Sequence, residues 1–508
     1  MFYSKSKSDG EKPKDKFIED IKVKEKKVRS DSNSSSNSDV EVGAAADAVK
    51  NAVRAVDSFD DDSRHDAVFG DVGDDGPNYR NVGWIATIAI MLKTMIGLGV
   101  LSIPAAFDTL GLIPGVLVLF SLAGMTTWTG YVVGKFKMNH RDCYGIDDAG
   151  MIVFGRVGKE ILAVAYVLFQ TFCAGSGMLS ISIAFNALSV HGACTAVFVA
   201  VAAVIAFCVA SVRTLHKLSP LAWIGLVSII TALLTLTVAV GVQERPAAAP
   251  RTPEPFKSDF KLFGNPSFVE AISAVSAIFF AYTGTPSFFP IAAEMKNPKH
   301  YTRSLLFTQG GVTVIYTVVG VVVYVFTGSF VSSPALGSAG PLMKKVCYGL
   351  ALPGIIMSTT ICTHFPSKYI FVRVLRGSKH LASNSPTHWI TWLGCVGGCA
   401  TFAYIISSSI PIFSTLVSLI GAFLGPILCL IPIGAMWFYD HYRWADRKVN
   451  NPNTIKFKLL AGWNIAIIII GFFILIAGTY GSVVNIMDSF KNGETTGVWS
   501  CADNSGSV

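Results

Sequence analysis

The stretch that decides the fold runs Ile85-Ala-Thr-Ile-Ala-Ile-Met-Leu-Lys-Thr-Met-Ile-Gly-Leu-Gly-Val-Leu-Ser-Ile-Pro104. It is apolar for long enough to cross a hydrocarbon core about 30 Å thick. Yet Gly97 and Gly99, with Pro104 beyond, interrupt it. A second stretch has the same character: Ile278-Phe-Phe-Ala-Tyr-Thr-Gly-Thr-Pro-Ser-Phe-Phe-Pro290, broken by Gly284 and Pro286. In lipid, backbone leaves the helix only where it is buried in protein or lines a cavity.

Working outward, apolar runs recur at 84–107, 111–134, 160–187, 195–212, 219–242, 267–294, 305–328, 346–371, 388–407, 409–438 and 458–487. An open strand in lipid would leave its amides unpaired, so these eleven runs are read as helices of an all-α integral membrane protein. The broken helices are the first and the sixth. They begin about 183 residues apart, which spaces two five-helix units. An odd offset reverses orientation, so the expected architecture is a five-plus-five inverted repeat with one extra helix. Interrupted helices in corresponding positions of two halves point to a secondary-transporter binding site.

The chemistry of such a break is direct. The half-helix starting after Gly99 offers free N–H groups, which suit a carboxylate. The half-helix ending near Thr94–Met95 offers carbonyls, which suit an ammonium or a cation. A zwitterionic α-amino acid matches both. Glycine in a membrane helix also serves close packing. A Gly-Leu-Gly with Ser-Ile-Pro, paired with Thr-Gly-Thr-Pro five spans later, favours a site instead.

Charge divides the chain. Of 508 residues 15 % are charged, against roughly 25 % in an average soluble protein. Residues 1–80 hold 14 Lys and Arg with 18 Asp and Glu, leaving 27 and 15 for the other 428 residues. Residues 1–80 are read as a disordered cytoplasmic tail, low-complexity at Ser30–Ser38, with regulation and simple solvation as its two readings. The transporter domain is placed at 81–487 and a short extracytoplasmic tail at 488–508. With the tail inside, inner loops carry 19 Lys and Arg and outer segments 7, which supports that orientation. The basic body reflects those loops and not nucleic-acid binding. Residues 1–30 hold no apolar core of signal-peptide length, so the first span is expected to act as an uncleaved signal. The sequon Asn33-Ser-Ser falls on the cytoplasmic side, so no glycan is expected. Ten scattered cysteines form no CxxC pair, which gives no support to a metal site. A disulfide is left open among Cys194, Cys347 and Cys501.

Met95-Ile-Gly-Leu-Gly-Val-Leu-Ser-Ile-Pro-Ala-Ala-Phe107 resembles the first-helix signature of the amino acid/auxin permease family, within the amino acid–polyamine–cation superfamily. Tyr144–Gly158, read as the second-to-third loop, Pro290–Pro298 and Thr363–Arg373 resemble further family segments. The nearest likeness is to amino acid permeases of kinetoplastid parasites. The resemblance covers roughly 84–487 and implies a leucine-transporter-like carrier with alternating access, usually proton-coupled, with sodium in some animal relatives. It implies carboxylate contacts at Gly97, Gly99, Val100, Leu101 and Ser102, and sixth-helix contacts at Thr283, Gly284 and Thr285. The His-Pro-Glu element of some animal relatives is absent, so their side-chain selectivity does not carry over.

Lys93 lies nine residues after Trp84, about 14 Å along a helix. An intramembrane cation is a functional candidate; snorkelling to the interface is the alternative. Thr359 and Thr360 fall where sodium-coupled relatives place ion-ligating hydroxyls, with i−4 backbone bonding as the alternative. His364 would suit a proton relay or a packed interfacial role. Glu270 and Glu294 are expected at the two ends of the sixth helix, Glu294 closing an inner gate with a loop cation. Phe169, Gln170 and Tyr282 are read as pocket-lining.

The expected function is therefore a secondary active amino acid transporter, a monomer in the lipid bilayer. It needs no resident cofactor or metal and uses a proton or sodium as coupling ion. A receptor-like amino acid sensor signalling through the tail is the alternative. An enzyme is not expected, since no nucleophile–base arrangement recurs at membrane depth. The plasma membrane is the expected location, with a vacuolar or lysosomal membrane as the alternative.

Overall fold

A computed structural model describes residues 82–506, apart from 214, 247, 251–255, 377, 379, 382–384, 444–453 and 493–496, together with the two strands His65–Asp66 and Gly70–Asp71. The chain divides into two units, Met1–Asn78 and Tyr79–Val508. In the first, the two short strands pair antiparallel. The expected disordered tail and its sequon otherwise lie outside the described residues, as do the loop cations Arg251, Lys379, Arg447 and Lys448.

The second unit is built of helices: α1 (Trp84–Met95), α2 (Ile103–Leu110), α3 (Leu112–Asn139), α4 (Ile146–Ser189), α5 (Thr195–Ala210), α6 (Leu215–Val242), α7 (Phe268–Ala281), α8 (Phe288–Ala293), α9 (Tyr301–Thr327), α10 (Pro341–Leu375), α11 (Pro386–Ser409), α12 (Phe413–Cys429), α13 (Ile431–Phe438), α14 (Ile455–Phe473) and α15 (Thr479–Lys491). Among the described residues, taken across their breaks, they form ten long apolar spans, and α5, with 16 residues, is a shorter eleventh. The first span is α1 with α2, and the sixth is α7 with α8. Outward faces carry exposed Leu117, Ile161, Val204, Val238, Phe307, Ile390 and Ile469. A surface of that composition is stable against lipid tails, where the helix satisfies its own backbone. Among the described residues no cluster of three potential metal ligands occurs.

Tyr144–Gly158 is not a loop. Its helix begins at Ile146, where the Asp148 carboxylate accepts the Tyr144 N–H at 3.0 Å. The helical run turns at Gly155, whose φ of 74° requires glycine. Asp148, at the third helical position, reaches back to the Tyr144 and Gly145 N–H groups and starts a helix inside the stretch read as a loop.

The first and sixth spans are tied together at both ends. At one end Val82 N–H donates to Glu294 O (3.2 Å) and Lys296 N–H to Val82 O (2.9 Å). At the other, Leu112 and Ile113 N–H donate to Lys261 O and Leu262 O, and Gly264 N–H donates to Leu110 O at 2.9 Å. There the Ser267–Glu270 capping box starts α7, which accounts for Glu270.

The segment 498–506 folds back onto the helices. Cys501 bonds Cys194 at the start of α5, across 307 residues, and Cys347 stays free and buried. Asn504 exchanges hydrogen bonds with Asn186 (2.7 Å) and Ser182 (3.1 Å) on α4. Lys344 on α10 donates to Gly506 O at 3.1 Å, and Trp499 packs edge-on against Tyr404 of α11. Breaking this closure should destabilise the bundle. Cys501→Ser, or reduction of the wild type, is expected to lower the melting temperature by several degrees in detergent scanning fluorimetry. Cys208→Ser, at an exposed free thiol, should leave it unchanged.

Candidate functional site

The breaks arise where the glycines and prolines stand. α1 ends at Met95; Ile96 leaves the helix at φ −79°, ψ 97°, and Gly99–Ser102 make one tight turn into α2. α7 ends at Ala281, and Thr285–Ser287 make the matching turn into α8. Each half-helix that stops exposes carbonyls, and each that starts exposes N–H groups.

The two breaks cross in contact. A Cβ on Gly99 would stand 2.4 Å from Ala281 Cα, and one on Gly284 would stand 2.8 Å from Met95 Cγ. A Cβ on Gly97 would meet Ser358 Oγ of α10 at 2.7 Å. Behind the crossing stands Tyr316 of α9, fully buried. Its hydroxyl lies 2.7 Å from Met95 O and 2.9 Å from Ala281 O, the last carbonyls of α1 and α7. Nothing in the sequence pattern marked Tyr316.

Beside the crossing is a cavity of about 50 Å³, lined by Lys93–Met95, Gly97–Gly99, Thr283, Gly284 and Ser287, with residues of α4 and α10. The N–H groups of Gly97, Leu98 and Gly284, all lining residues, have no acceptor among the described residues. Buried donors without partners are rare, and three on residues lining one cavity suit an anion. The rest of the lining is largely apolar: Phe169, Cys173, Phe280, Ile361, Cys362 and Phe365. Gln170 donates its amide to Ser287 Oγ (3.1 Å) and Tyr166 OH (3.4 Å), linking α4 to the sixth span.

Lys93 does not snorkel. Its ammonium is buried and donates to Gly354 O (2.9 Å) and Ser358 Oγ (2.7 Å) of α10. No carboxylate pairs with it among the described residues. The structure thus brings Lys93, Gly97, Gly99, Thr283 and Gly284 together around the cavity, with Phe169 and Gln170. Val100, Leu101, Ser102 and Thr285 are buried outside the lining; Ser102 Oγ instead donates to Gly99 O at 2.8 Å. Thr359 and Thr360 also miss it. Thr359 Oγ1 donates back to Ile355 O (2.9 Å) and faces Gly177 of α4, and it is their neighbour Ser358 that meets the first span. His364 packs away from the cavity, with Nδ1 3.2 Å from Ala210 O and its ring edge-on to Trp392. Tyr282 is no lining residue; its hydroxyl donates to Thr313.

At the end of the sixth span Glu294 stands 3.8 Å from Lys368 of α10. This pair links the broken span to α10 on the side where the segment before α1 is also held.

The description "transmembrane amino acid transporter protein" belongs to the family model that matches residues 80–484. A transmembrane transporter of Fusarium pseudograminearum is 37 % identical over 435 residues, covering 85 % of this chain and 90 % of that one. The N amino acid transport system protein of Neurospora crassa is 34 % identical over 432 residues, covering 84 % and 89 %. Among solved structures, a nucleobase-cation-symport-1 family transporter, closed around bromovinylhydantoin, superposes with a TM-score of 0.51 at 13 % identity. It covers 85 % of this chain and 97 % of that one, a likeness of fold. The two sequence relatives named here are fungal, and they do not show a kinetoplastid likeness.

Proposed function

The chain belongs to the transmembrane amino acid transporter family, and from that membership we propose a proton-coupled secondary carrier of α-amino acids working by alternating access. The observation that carries the binding mode is the cradle of three unpartnered N–H groups on Gly97, Leu98 and Gly284. They receive the substrate carboxylate, while carbonyls at the ends of α1 and α7 receive its ammonium.

The side chain then faces the apolar wall of Phe169, Phe280, Ile361 and Phe365. That wall carries no carboxylate, and the cavity's one charged lining residue is Lys93. A cationic side chain would meet a like charge in a low dielectric, so the substrates are neutral amino acids.

Coupling falls to Lys93. A carbonyl and a hydroxyl beside the first break would suit a hard cation, and the Lys93 ammonium already occupies those oxygens. A tethered cation that gains and loses a proton fits proton coupling better than sodium coupling. The 19 to 7 loop-charge asymmetry favours an N-terminus in the cytoplasm, and the plasma membrane is the proposed location.

Uptake of labelled neutral amino acids into proteoliposomes tests this reading. Saturable uptake should follow an imposed pH gradient, ignore a sodium gradient and survive deletion of residues 1–75. Binding without flux would favour a sensor and sink the carrier.

A further inference from the structure

Tyr316 raises a question that the cavity does not answer. It is a fully buried phenol outside the cavity lining. Its single proton lies between Met95 O at 2.7 Å and Ala281 O at 2.9 Å. Those carbonyls end α1 and α7, in two different spans, at positions 221 and 35 residues from Tyr316. Three-centre hydrogen bonds of this kind are common at helix termini. Here one donor serves the ends of two helices at once. The Tyr282 ring stands edge-on to the Tyr316 ring at 5.2 Å between centroids, fixing its orientation.

We propose that Tyr316 is the positioning residue of the ammonium site: it holds the Met95 and Ala281 carbonyls in common register, so that their remaining lone pairs converge on the substrate's amino group. The inference rests on the binding mode given above. A carbonyl oxygen has two lone pairs. Met95 lines the cavity and Ala281 follows Phe280, which also lines it, while Tyr316 lies outside the lining and takes one lone pair on each oxygen. Without its hydroxyl the two chain ends would reorient separately to find other donors, since buried orphan acceptors are costly. Tyr316 also ties the two spans at mid-depth, between the backbone bonds that join them at either end.

The test compares L-alanine with propionate, and L-leucine with 4-methylpentanoate, as competitors of amino acid uptake by the full-length protein in proteoliposomes. Each pair differs in the amino group. Wild type should prefer the amino acid by at least about tenfold, the scale of hydrogen bonds to a charged group. In Tyr316→Phe that ratio should collapse towards one, whereas a general loss of structure would weaken both members equally. Tyr324→Phe, on the same helix but bonded to Lys261 N–H, should keep the wild-type ratio. If Tyr316→Phe fails to reach the membrane, the ratio is read with 4-fluorophenylalanine and 4-aminophenylalanine at 316. Loss with the first and retention with the second supports the proposal. A wild-type ratio in Tyr316→Phe, or with 4-fluorophenylalanine, overturns it while leaving the binding mode standing. A wild-type protein indifferent to the amino group overturns the binding mode, and the proposal with it.

Discussion

Gly99→Ala is expected to reduce amino acid uptake by about a hundredfold or more while the protein still reaches the membrane. The added methyl carbon would stand 2.4 Å from Ala281 Cα and 2.7 Å from Ala281 Cβ. Both belong to the crossing chain's own backbone or its first side-chain atom, so no flexible side chain can swing aside. The two breaks must therefore part, and misplacement by about 1 Å is enough to cost two orders of magnitude where geometry sets the rate. Gly310→Ala is the control, since nothing lies within 4 Å of its Cβ position. Initial uptake rates, normalised to surface-labelled protein, give the result. Gly99→Ala at wild-type rate would remove the crossing from the site.

Lys93→Met should abolish concentrative uptake while leaving passage down a gradient. A pH difference of one unit is worth about 1.4 kcal/mol per proton, so one-to-one coupling sustains accumulation of about tenfold. Without the ammonium that ratio should fall to about one. The substitution is survivable because Ser358 Oγ also donates to Gly354 O, at 3.1 Å, so the oxygens that bound Lys93 still have each other. Methionine restores the length of the apolar stem beside Gly225 and Met357. Counterflow of labelled amino acid under equal pH measures the passive step, and accumulation under a pH gradient measures the coupled one. Accumulation that persists in Lys93→Met would move the coupling site elsewhere.

The eleven spans and both breaks were legible because lipid makes apolar run length decisive and because Gly97, Gly99, Gly284 and Pro286 punctuate otherwise strong helices. Lys93 was legible because a charge inside such a run has no loop to explain it. Rotational phase was not legible. Ser358, Thr359 and Thr360 are consecutive hydroxyls on α10, a helix with buried residues on several faces, so no amphipathic stripe says which of the three meets the first span. A step of one residue turns the side chain by about 100°, and that step separates Thr359 from Ser358. Tyr316 was hidden for another reason. Its partners are carbonyls, which every residue possesses, so no pattern of side chains can announce them.

The return of residues 498–506 onto α4, α5, α10 and α11 has a practical consequence for anyone handling the protein. An affinity handle or fluorescent reporter attached just beyond residue 506 would hang from a segment whose last carbonyls are gripped by Lys344 and whose Cys501 must find Cys194. Such a fusion would pull on that wedge, and expression in a host compartment that keeps thiols reduced would leave it unfastened. Handles belong ahead of Tyr79, in the other unit of the chain.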